Sequence, residues 1–338
     1  MILAGDVGGT KTNVALLESN GGALEIVRFE SYRSREHASL DEIIDAFLGT
    51  GAITLEAAGF GVAGPVIGGR AITTNLPWHI DAGKLADRFG LPTAALLNDV
   101  EAHAWAVDRL TDADLLTIQP GSSGAGNVAI VAAGTGFGVS ALIRSAGTTV
   151  SLGSEGGHAD FAARSAIEAD LLGYLRSRFG HVSVERVLSG PGLVHLYEFL
   201  RESGGTAEPE WLGAELASGE APATISLAAV NGRNETCARA LDLFLELYGA
   251  EAGNWALRTM ATGGVYLGGG IAAKLLGASS GASDAWRKRA SQLFLKGFLA
   301  KGRFRPMLEA MPVQVIVNEN APLIGAARCA MTTRSAQR

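Results

Sequence analysis

The chain has 338 residues, of which 47% are hydrophobic and 18% charged, so it can bury the cores of two ordinary domains. Its formal net charge is −6 and Lys and Arg form no run longer than three residues, which argues against nucleic acid and anionic membrane as partners. Two cysteines are too few for a disulfide framework or a four-cysteine zinc site. Neither a signal peptide nor a segment of roughly 20 apolar residues is found, so we expect a cytoplasmic protein.

The segment GDVGGTKT at residues 5–12 differs from a P-loop at Thr10, where the P-loop pattern has glycine. A P-loop also requires a helix after the glycines, because the helix N-terminus completes the anion site. The residues that follow (VALLE, SNGG, ALEIVRF) instead predict a strand, a hairpin turn and a second strand. The pattern G-x-G-x-x-G is absent from this segment too. We therefore predict a tight turn between two strands, with Asp6 just before it.

The next informative segments are LEAAGFGVAGPVIGG at 55–69 and AALLNDVEAHAWAV at 94–107. The first predicts an apolar strand with a turn, and the second predicts a strand end followed by a helix. Asn98 and Asp99 lie at this junction, where open α/β sheets commonly carry catalytic residues. Aspartate is also a favoured helix N-cap, and position alone favours the cap.

The second half of the chain repeats the arrangement of the first. Residues 128–133 predict a strand, GTGFG at 134–138 a glycine turn, and 139–143 a second strand, with a third starting near Val150. Two copies of strand, glycine turn and strand indicate a duplicated α/β domain with a cleft between the copies. A nucleotide could lie there with its phosphates held by one turn from each side.

The remaining elements follow in order. Residues 204–224 are rich in Gly, Ala and Pro and predict a surface excursion, and 260–276 predict a buried strand, three glycines and a helix. A loop is expected at 277–284 and a basic amphipathic helix at 285–301. A last strand precedes a C-terminal helix that starts near Pro322.

Several motifs together resemble a known family. DVGGTKT and GTGFG resemble the two phosphate motifs of the actin-like, ribonuclease H-like ATPase fold. The chain is also similar to the bacterial glucokinases of the hexokinase superfamily, from Ile2 to about Met331. That similarity is carried by NDVEAHAWA (98–106), SEGGHADFA (154–162), ERVLSGPGLVHLYE (185–198) and GVYLGGGIAAKLL (264–276).

The resemblance implies an α/β protein with two actin-like (ribonuclease H-like) α/β domains flanking an active-site cleft. A small domain would comprise residues 1–108 plus 319–338, with the first phosphate motif and the catalytic aspartate. A large domain, 109–318, would carry the second phosphate motif and the sugar and adenosine motifs. The implied activity is ATP-dependent phosphorylation of D-glucose at its 6-hydroxyl, and the implied assembly is a homodimer.

Site residues follow from the same resemblance. Asp99 would be the general base for the sugar hydroxyl. Carboxylates and imidazole suit sugar hydroxyls, which donate and accept hydrogen bonds. The implied sugar-binding residues are Asn98, Asp99, Glu155, His158 and Glu185. Considered singly, Glu155 is more simply a surface acid, His158 a structural histidine and Glu185 an ordinary helix start.

The implied nucleotide-binding residues are Gly5, Asp6, Val7, Gly8, Gly9, Thr10, Gly134, Thr135, Gly136, Gly268, Gly269 and Gly270. Asp6 would hold Mg²⁺ through water, since Mg²⁺ binds few carboxylates and keeps much of its hydration. Asp6 could equally cap the amides of the turn, and close packing of strand on helix explains Gly268–Gly270 nearly as well. Many relatives carry Asn at the position of Lys11, which leaves a phosphate contact by Lys11 open.

Three alternatives stay open at this point. The pocket acids fit another hexose or an N-acetylhexosamine as well as glucose. A sensor that binds sugar and ATP without turnover would keep most of these residues, although it would not need Asp99. The phosphate turns also do not exclude ADP or polyphosphate as the phosphoryl donor.

Overall fold

The computed structural model describes residues 1–21, 23–51, 53–73, 76–122, 124–277 and 283–336. The strands are β1 Ile2–Val7, β2 Lys11–Asn20, β3 Ala23–Arg33, β4 Ala57–Val62, β5 Val66–Ile67, β6 Arg70–Ile72, β7 His79–Asp81, β8 Ala94–Asn98, β9 Leu115–Gln119, β10 Val128–Ala133, β11 Phe137–Ser145, β12 Thr148–Leu152, β13 Gly264–Gly268 and β14 Val313–Ile316. The helices are α1 Leu40–Leu48, α2 Ala82–Phe89, α3 Asp99–Ala106, α4 Ala166–Phe179, α5 Gly190–Ser203, α6 Glu210–Ser218, α7 Ala221–Val230, α8 Glu235–Thr259, α9 Gly269–Leu276, α10 Asp284–Phe298, α11 Arg305–Glu309 and α12 Ala321–Ala336.

These elements confirm the two predicted strand–turn–strand arrangements, the helix that follows Asn98 and the C-terminal helix. The expected loop at 277–284 lies largely outside the described residues. None of the described helices is both long and apolar enough to cross a membrane.

Two compact units make up the chain. The first contains Met1–Leu115, Ser140–Ser154 and Asn318–Arg338, and the second contains Leu116–Val139 and Glu155–Val317. The functional division into 1–108 plus 319–338 and 109–318 stays a prediction.

The first unit is built on a five-stranded sheet of order β3-β2-β1-β4-β8. It also contains a small three-stranded sheet of order β5-β6-β7. β1, β2 and β3 pair antiparallel, whereas β1, β4 and β8 are parallel. Both faces of β1 are buried, as expected for a strand covered by helices on each side. One face packs against α1, and the other against α12 through Ile2, Ala4, Leu323 and Ala327.

The second sheet has the order β12-β11-β10-β13-β14-β9, in which β10, β13 and β14 are parallel. The core of the second unit lies around α8, and its centre is the fully buried Tyr248, whose hydroxyl donates to the carbonyl of Val131 at 3.0 Å. Tyr248 packs edge-on against Phe137 and Phe294. These contacts fix the start of β11, and therefore the glycine turn before it, against the helical layer.

The segment 204–224 lies mostly at the surface, as predicted, but it is helical. It contains α6 and the start of α7, and Leu212 is fully buried, as is Ile225 further along α7. The prolines do not break these helices: Pro209 is the N-cap of α6 and Pro222 lies in the first turn of α7. Proline is tolerated there because the first N–H groups of a helix have no intrahelical partner.

Candidate active site

Two predicted motifs of the first unit lie at one edge of its sheet. The parallel strands β1, β4 and β8 are in register at their carboxyl ends, where Val7 faces Val62 and Val62 faces Asn98. The turn after Val7 and the Asn98–Asp99 pair therefore emerge at the same edge. In open α/β sheets this is the edge at which ligands bind.

Ser34 holds the first glycine turn through hydrogen bonds. It is fully buried, and sequence reasoning did not single it out. Its hydroxyl donates to the carbonyl of Gly8 at 2.7 Å and its N–H to the carbonyl of Thr10 at 3.0 Å. Because the Ser34 hydrogen is used in this way, the hydroxyl of Thr12 donates to Ser34 Oγ at 2.9 Å. The N–H groups of Gly9 and Thr10 have no backbone partner among the described residues, so they are available to an anion.

Gly5 and Val7 lie inside β1 rather than on the turn. A Cβ on Gly5 would come within 2.5 Å of Phe60 Cδ1, and Val7 belongs to the core of the first unit. Both residues therefore pack the strand, and their part in nucleotide binding stays a prediction.

Asp6 faces Asn13 across β1 and β2, and Asn13 Nδ2 donates to Asp6 Oδ2 over a long 3.5 Å. Burial raises the pKa of Asp6, opposed by the charge of His103, the Asn13 bond and the charge of Lys11. Asn13 Oδ1 is buried and has no hydrogen-bond partner in the described part of the chain. A cation or its water shell would satisfy both groups.

The donor set fits magnesium held mainly through water. Among the described residues, no group of three or more His, Cys, Asp or Glu side chains is placed to hold a metal ion. A single carboxylate with a neighbouring amide oxygen suits Mg²⁺, which retains several waters and binds one or two carboxylates plus phosphate oxygens.

The helix cap at α3 is Asn98, not Asp99. Asn98 Oδ1 accepts from the N–H of Val100 at 2.8 Å, and Asn98 Nδ2 donates to the carbonyl of Gly64 at 3.1 Å. Asp99 is the first helical residue, and its Oδ1 accepts from the same Val100 N–H at 2.9 Å. Asn98 therefore fills the N-cap position that sequence reasoning had considered for Asp99. One turn later, His103 Nδ1 donates to the Asp99 carbonyl at 3.1 Å.

In the second unit, the second glycine turn and the GGG motif also share an edge. β10 and β13 are parallel neighbours with Ala132 opposite Gly268, so Gly134–Gly136 and Gly268–Gly270 lie at the carboxyl ends of adjacent strands. Gly269 has φ +78°, and a Cβ there would lie 2.4 Å from the Ala133 carbonyl oxygen. Close packing thus explains Gly269, whereas Gly134 and Gly270 face open space.

Backbone hydrogen bonds join the second glycine turn to the predicted sugar motifs. The N–H of Glu185 donates to the Gly157 carbonyl at 2.9 Å, and the N–H of Gly190 donates to the Gly134 carbonyl at 2.9 Å. A Cβ on Gly157 would lie 1.8 Å from the Phe137 carbonyl oxygen. Glycine is therefore required at position 157 for the E-G-G-H segment to lie against the start of β11.

In the second unit, the predicted sugar-binding side chains of Glu155, His158 and Glu185 form one cluster. Glu185 Oε2 accepts from the Phe137 N–H at 2.9 Å, and Glu185 Oε1 lies 4.0 Å from His158 Nδ1. His158 Nε2 lies 4.0 Å from Glu155 Oε2. His158 and Glu155 are 61% and 53% exposed, against 32% for Glu185, so the outer pair can meet a ligand while Glu185 is held by the backbone.

Comparison with known proteins identifies the family. A family model described as glucokinase matches residues 3–333. A glucokinase from Nostoc sp. is 41% identical over 98% of each chain. A glucokinase from Photorhabdus laumondii is 36% identical over 96% of this chain and 94% of its own. The chain belongs to the glucokinase family.

Solved structures agree with this membership. The crystal structure of a glucokinase from an Antarctic psychrotroph has a TM-score of 0.84 and 32% identity, with 98% of each chain covered. A ROK family glucokinase from Streptomyces griseus, solved with glucose and AMPPNP, has a TM-score of 0.63 at 20% identity over 98% of this chain and 99% of its own, and shares the fold. The two-domain α/β fold predicted from the motifs is confirmed.

Proposed function

We propose that this protein transfers the γ-phosphoryl group of ATP to the 6-hydroxyl of glucose, with Asp99 as the general base. Its membership of the glucokinase family makes it a phosphotransferase that acts on an alcohol. The observation that carries the assignment of the base is the position of Asp99 after the carboxyl end of β8, with one carboxylate oxygen held by the Val100 N–H.

The base acts on a hydroxyl that is a weak nucleophile. As the sugar oxygen forms its bond to phosphorus, its proton passes to the carboxylate of Asp99. The hydrogen bond from Val100 holds one oxygen of that carboxylate. Asn98 retains one amide hydrogen and one lone pair beyond its capping bonds, which are available for a sugar hydroxyl.

We assign recognition of the sugar also to Glu155, His158 and Glu185. Their cluster offers acceptors on both glutamates and a ring that donates or accepts, which matches hydroxyl groups distributed around a pyranose. The backbone bond from Phe137 orients Glu185 before any ligand binds. Such preorganisation reduces the entropy lost on binding.

The two glycine turns are assigned to the phosphates of ATP, and Gly268–Gly270 to its adenosine. The donors would be the backbone N–H groups of Gly9, Thr10, Thr135 and Gly136, because those of Gly8 and Gly134 donate within their own turns. Asp6, with Asn13 beside it, would hold Mg²⁺, which neutralises phosphate charge when bound. We also retain as proposals a homodimer, a cytoplasmic location, and the division between a small domain (1–108 plus 319–338) and a large one (109–318).

The test is ADP formation from Mg·ATP with glucose, mannose, fructose, N-acetylglucosamine and no sugar. Asp99→Asn keeps an oxygen for the Val100 N–H but removes the base, and we expect its kcat to fall about 10²- to 10⁴-fold with glucose binding retained. Asp87→Asn, at an exposed position of α2, is the matched control and should keep full activity.

Other results would change the assignment in defined ways. Turnover with another sugar would retain the mechanism and change the substrate. Sugar binding without turnover would favour the sensor. Sugar phosphate formed in a parallel assay with ADP or polyphosphate, but not with ATP, would change the donor. Full activity of Asp99→Asn would refute the assignment of the base.

A further inference from the structure

The first turn of α3 is held by a carboxylate to which the proposed reaction assigns no role. Glu101, the third helical residue, accepts the N–H of Asn98 through Oε2 at 3.0 Å, which completes a capping box. Its other oxygen, Oε1, accepts the hydroxyl of Ser151 on β12 at 2.7 Å. Both oxygens of Glu101 are therefore engaged, one by its own helix and one by a strand 50 residues away.

The carboxylate of Glu101 has little room to turn. A Cβ at position 153 would lie 3.1 Å from Glu101 Oε2, so the backbone of Gly153 lies against one side of the Glu101 carboxylate. Ser151 lies two residues earlier, near the end of β12, and Gly153 follows that strand. The end of β12 thus determines where the Glu101 carboxylate lies, and α3 alone does not.

The direction of Asp99 depends on this arrangement. Asp99 follows Asn98 directly, and both side chains accept from the N–H of Val100, at 2.9 and 2.8 Å. The carboxylate of Asp99 is consequently oriented by the backbone of residues 98–100. Glu101 fixes the first N–H of that stretch, and Ser151 fixes Glu101.

We propose that Glu101 and Ser151 are positioning residues for phosphoryl transfer: Ser151 anchors the carboxylate of Glu101, which fixes the N-terminus of α3 and so aims Asp99. The proposal rests on the proposed function, in which Asp99 receives the proton of the sugar. Neither residue is assigned a contact with a substrate. Their effect should therefore appear in kcat rather than in the affinity for glucose.

Helix α1 supplies a matched control for the cap itself. Its third residue, Glu42, accepts the N–H of Ala38 at 2.7 Å, and the N-cap Ser39 accepts the N–H of Glu42 at 3.3 Å. No proposed catalytic residue follows this cap. Glu42 is more exposed than Glu101 and makes no bond like that from Ser151, so Glu42→Ala should cost less stability than Glu101→Ala, and only the latter should disturb the aim of Asp99.

The experiment compares Ser151→Ala, Ser151→Thr, Glu101→Ala and Glu42→Ala in the full chain. Steady-state ADP formation is measured at saturating Mg·ATP with varied glucose, together with melting temperature. We expect kcat to fall about tenfold in Ser151→Ala and about 100-fold in Glu101→Ala, because small misplacements of reacting groups have effects of this size. The KM for glucose should stay within about twofold, Ser151→Thr should restore kcat, and Glu42→Ala should keep it.

Unchanged kcat in both Ser151→Ala and Glu101→Ala would overturn the proposal, as would an equal fall in Glu42→Ala. If Glu101→Ala does not fold, Ser151→Ala still decides, because it leaves the capping bond in place. A wild-type protein without sugar-dependent ADP formation would instead refute the proposed function. An active wild type with unaffected variants refutes only the positioning role.

Discussion

Ser34→Ala is the substitution that best tests how the first glycine turn is built. The serine hydroxyl joins two groups, the carbonyl of Gly8 and the hydroxyl of Thr12, and both Ser34 and Thr12 are fully buried. Alanine leaves the Thr12 donor and the Gly8 acceptor without their partner. Water has no access to the Thr12 side chain to replace the lost bond.

The size of the effect follows from these two unpaired groups. Each buried polar group left unsatisfied costs about 1–3 kcal/mol, and we expect a total loss of about 2–6 kcal/mol in the free energy of unfolding. Thr12→Val combined with Ser34→Ala removes the orphaned donor as well. The double variant should therefore recover about 1–2 kcal/mol relative to the sum of the single changes.

Function should respond separately from stability. In both Ser34→Ala and the double variant the Gly8 carbonyl lacks its donor, so the turn loosens and its N–H groups lose alignment. We expect the KM for ATP to rise about fivefold, equivalent to about 1 kcal/mol, with little change in the KM for glucose.

The measurements are urea unfolding and ADP formation at varied ATP. Ser140→Ala is the control, because it removes a buried hydroxyl that donates to the Leu152 carbonyl at 3.0 Å, away from the turn. It should lower stability and leave the KM for ATP unchanged. Additive stabilities in the double variant, or an equal rise in the KM for ATP in the control, would refute the reasoning.

Two further predictions concern the second unit. Gly157→Ala should abolish activity and lower the melting temperature strongly, since its Cβ would overlap the Phe137 carbonyl. Gly173→Ala, in open space within α4, should instead raise stability by about 0.5–1 kcal/mol. Equal melting temperatures of the two variants would contradict both expectations. Burial lowers the pKa of Lys301 from 10.5 to about 8, so between these values the unfolded chain binds more protons. The stability that this group contributes is fully present above pH 10.5 and is lost as pH falls through 8. The free energy of unfolding should therefore rise between pH 8 and pH 10.5, and Lys301→Met should remove that rise in urea-unfolding profiles; an unchanged profile would contradict the prediction.

Much of the fold could be predicted from local pattern. The two apolar runs separated by SNGG predicted strands rather than a helix behind the first glycine turn, and the structure has β2 and β3 there. The same reasoning predicted the strand–turn–strand at 128–143 and the strand-to-helix junction at Asn98. Strand periodicity and turn composition are properties of neighbouring residues, which is why sequence reasoning succeeds with them.

Reasoning by composition placed residues 204–224 at the surface but missed their helices. Gly, Ala and Pro suggested an excursion, but the prolines occupy helix starts, and Leu212 is buried in the core of the second unit. A proline that ends one helix and a proline that begins another look alike until packing selects one. Only the tertiary structure distinguishes them.

The sequence alone determined which chemical groups are present and where each follows a strand: Asp6, Asn98–Asp99, the two glycine turns and the E-G-G-H segment. The tertiary structure decided what holds them. Ser34 supports the first turn from 26 residues away, and Ser151 reaches Glu101 across 50. No local sequence pattern marks Ser34 or Glu101 as important, because each acts through a hydrogen bond to a residue far away in the sequence. Only the folded chain brings these partners within reach.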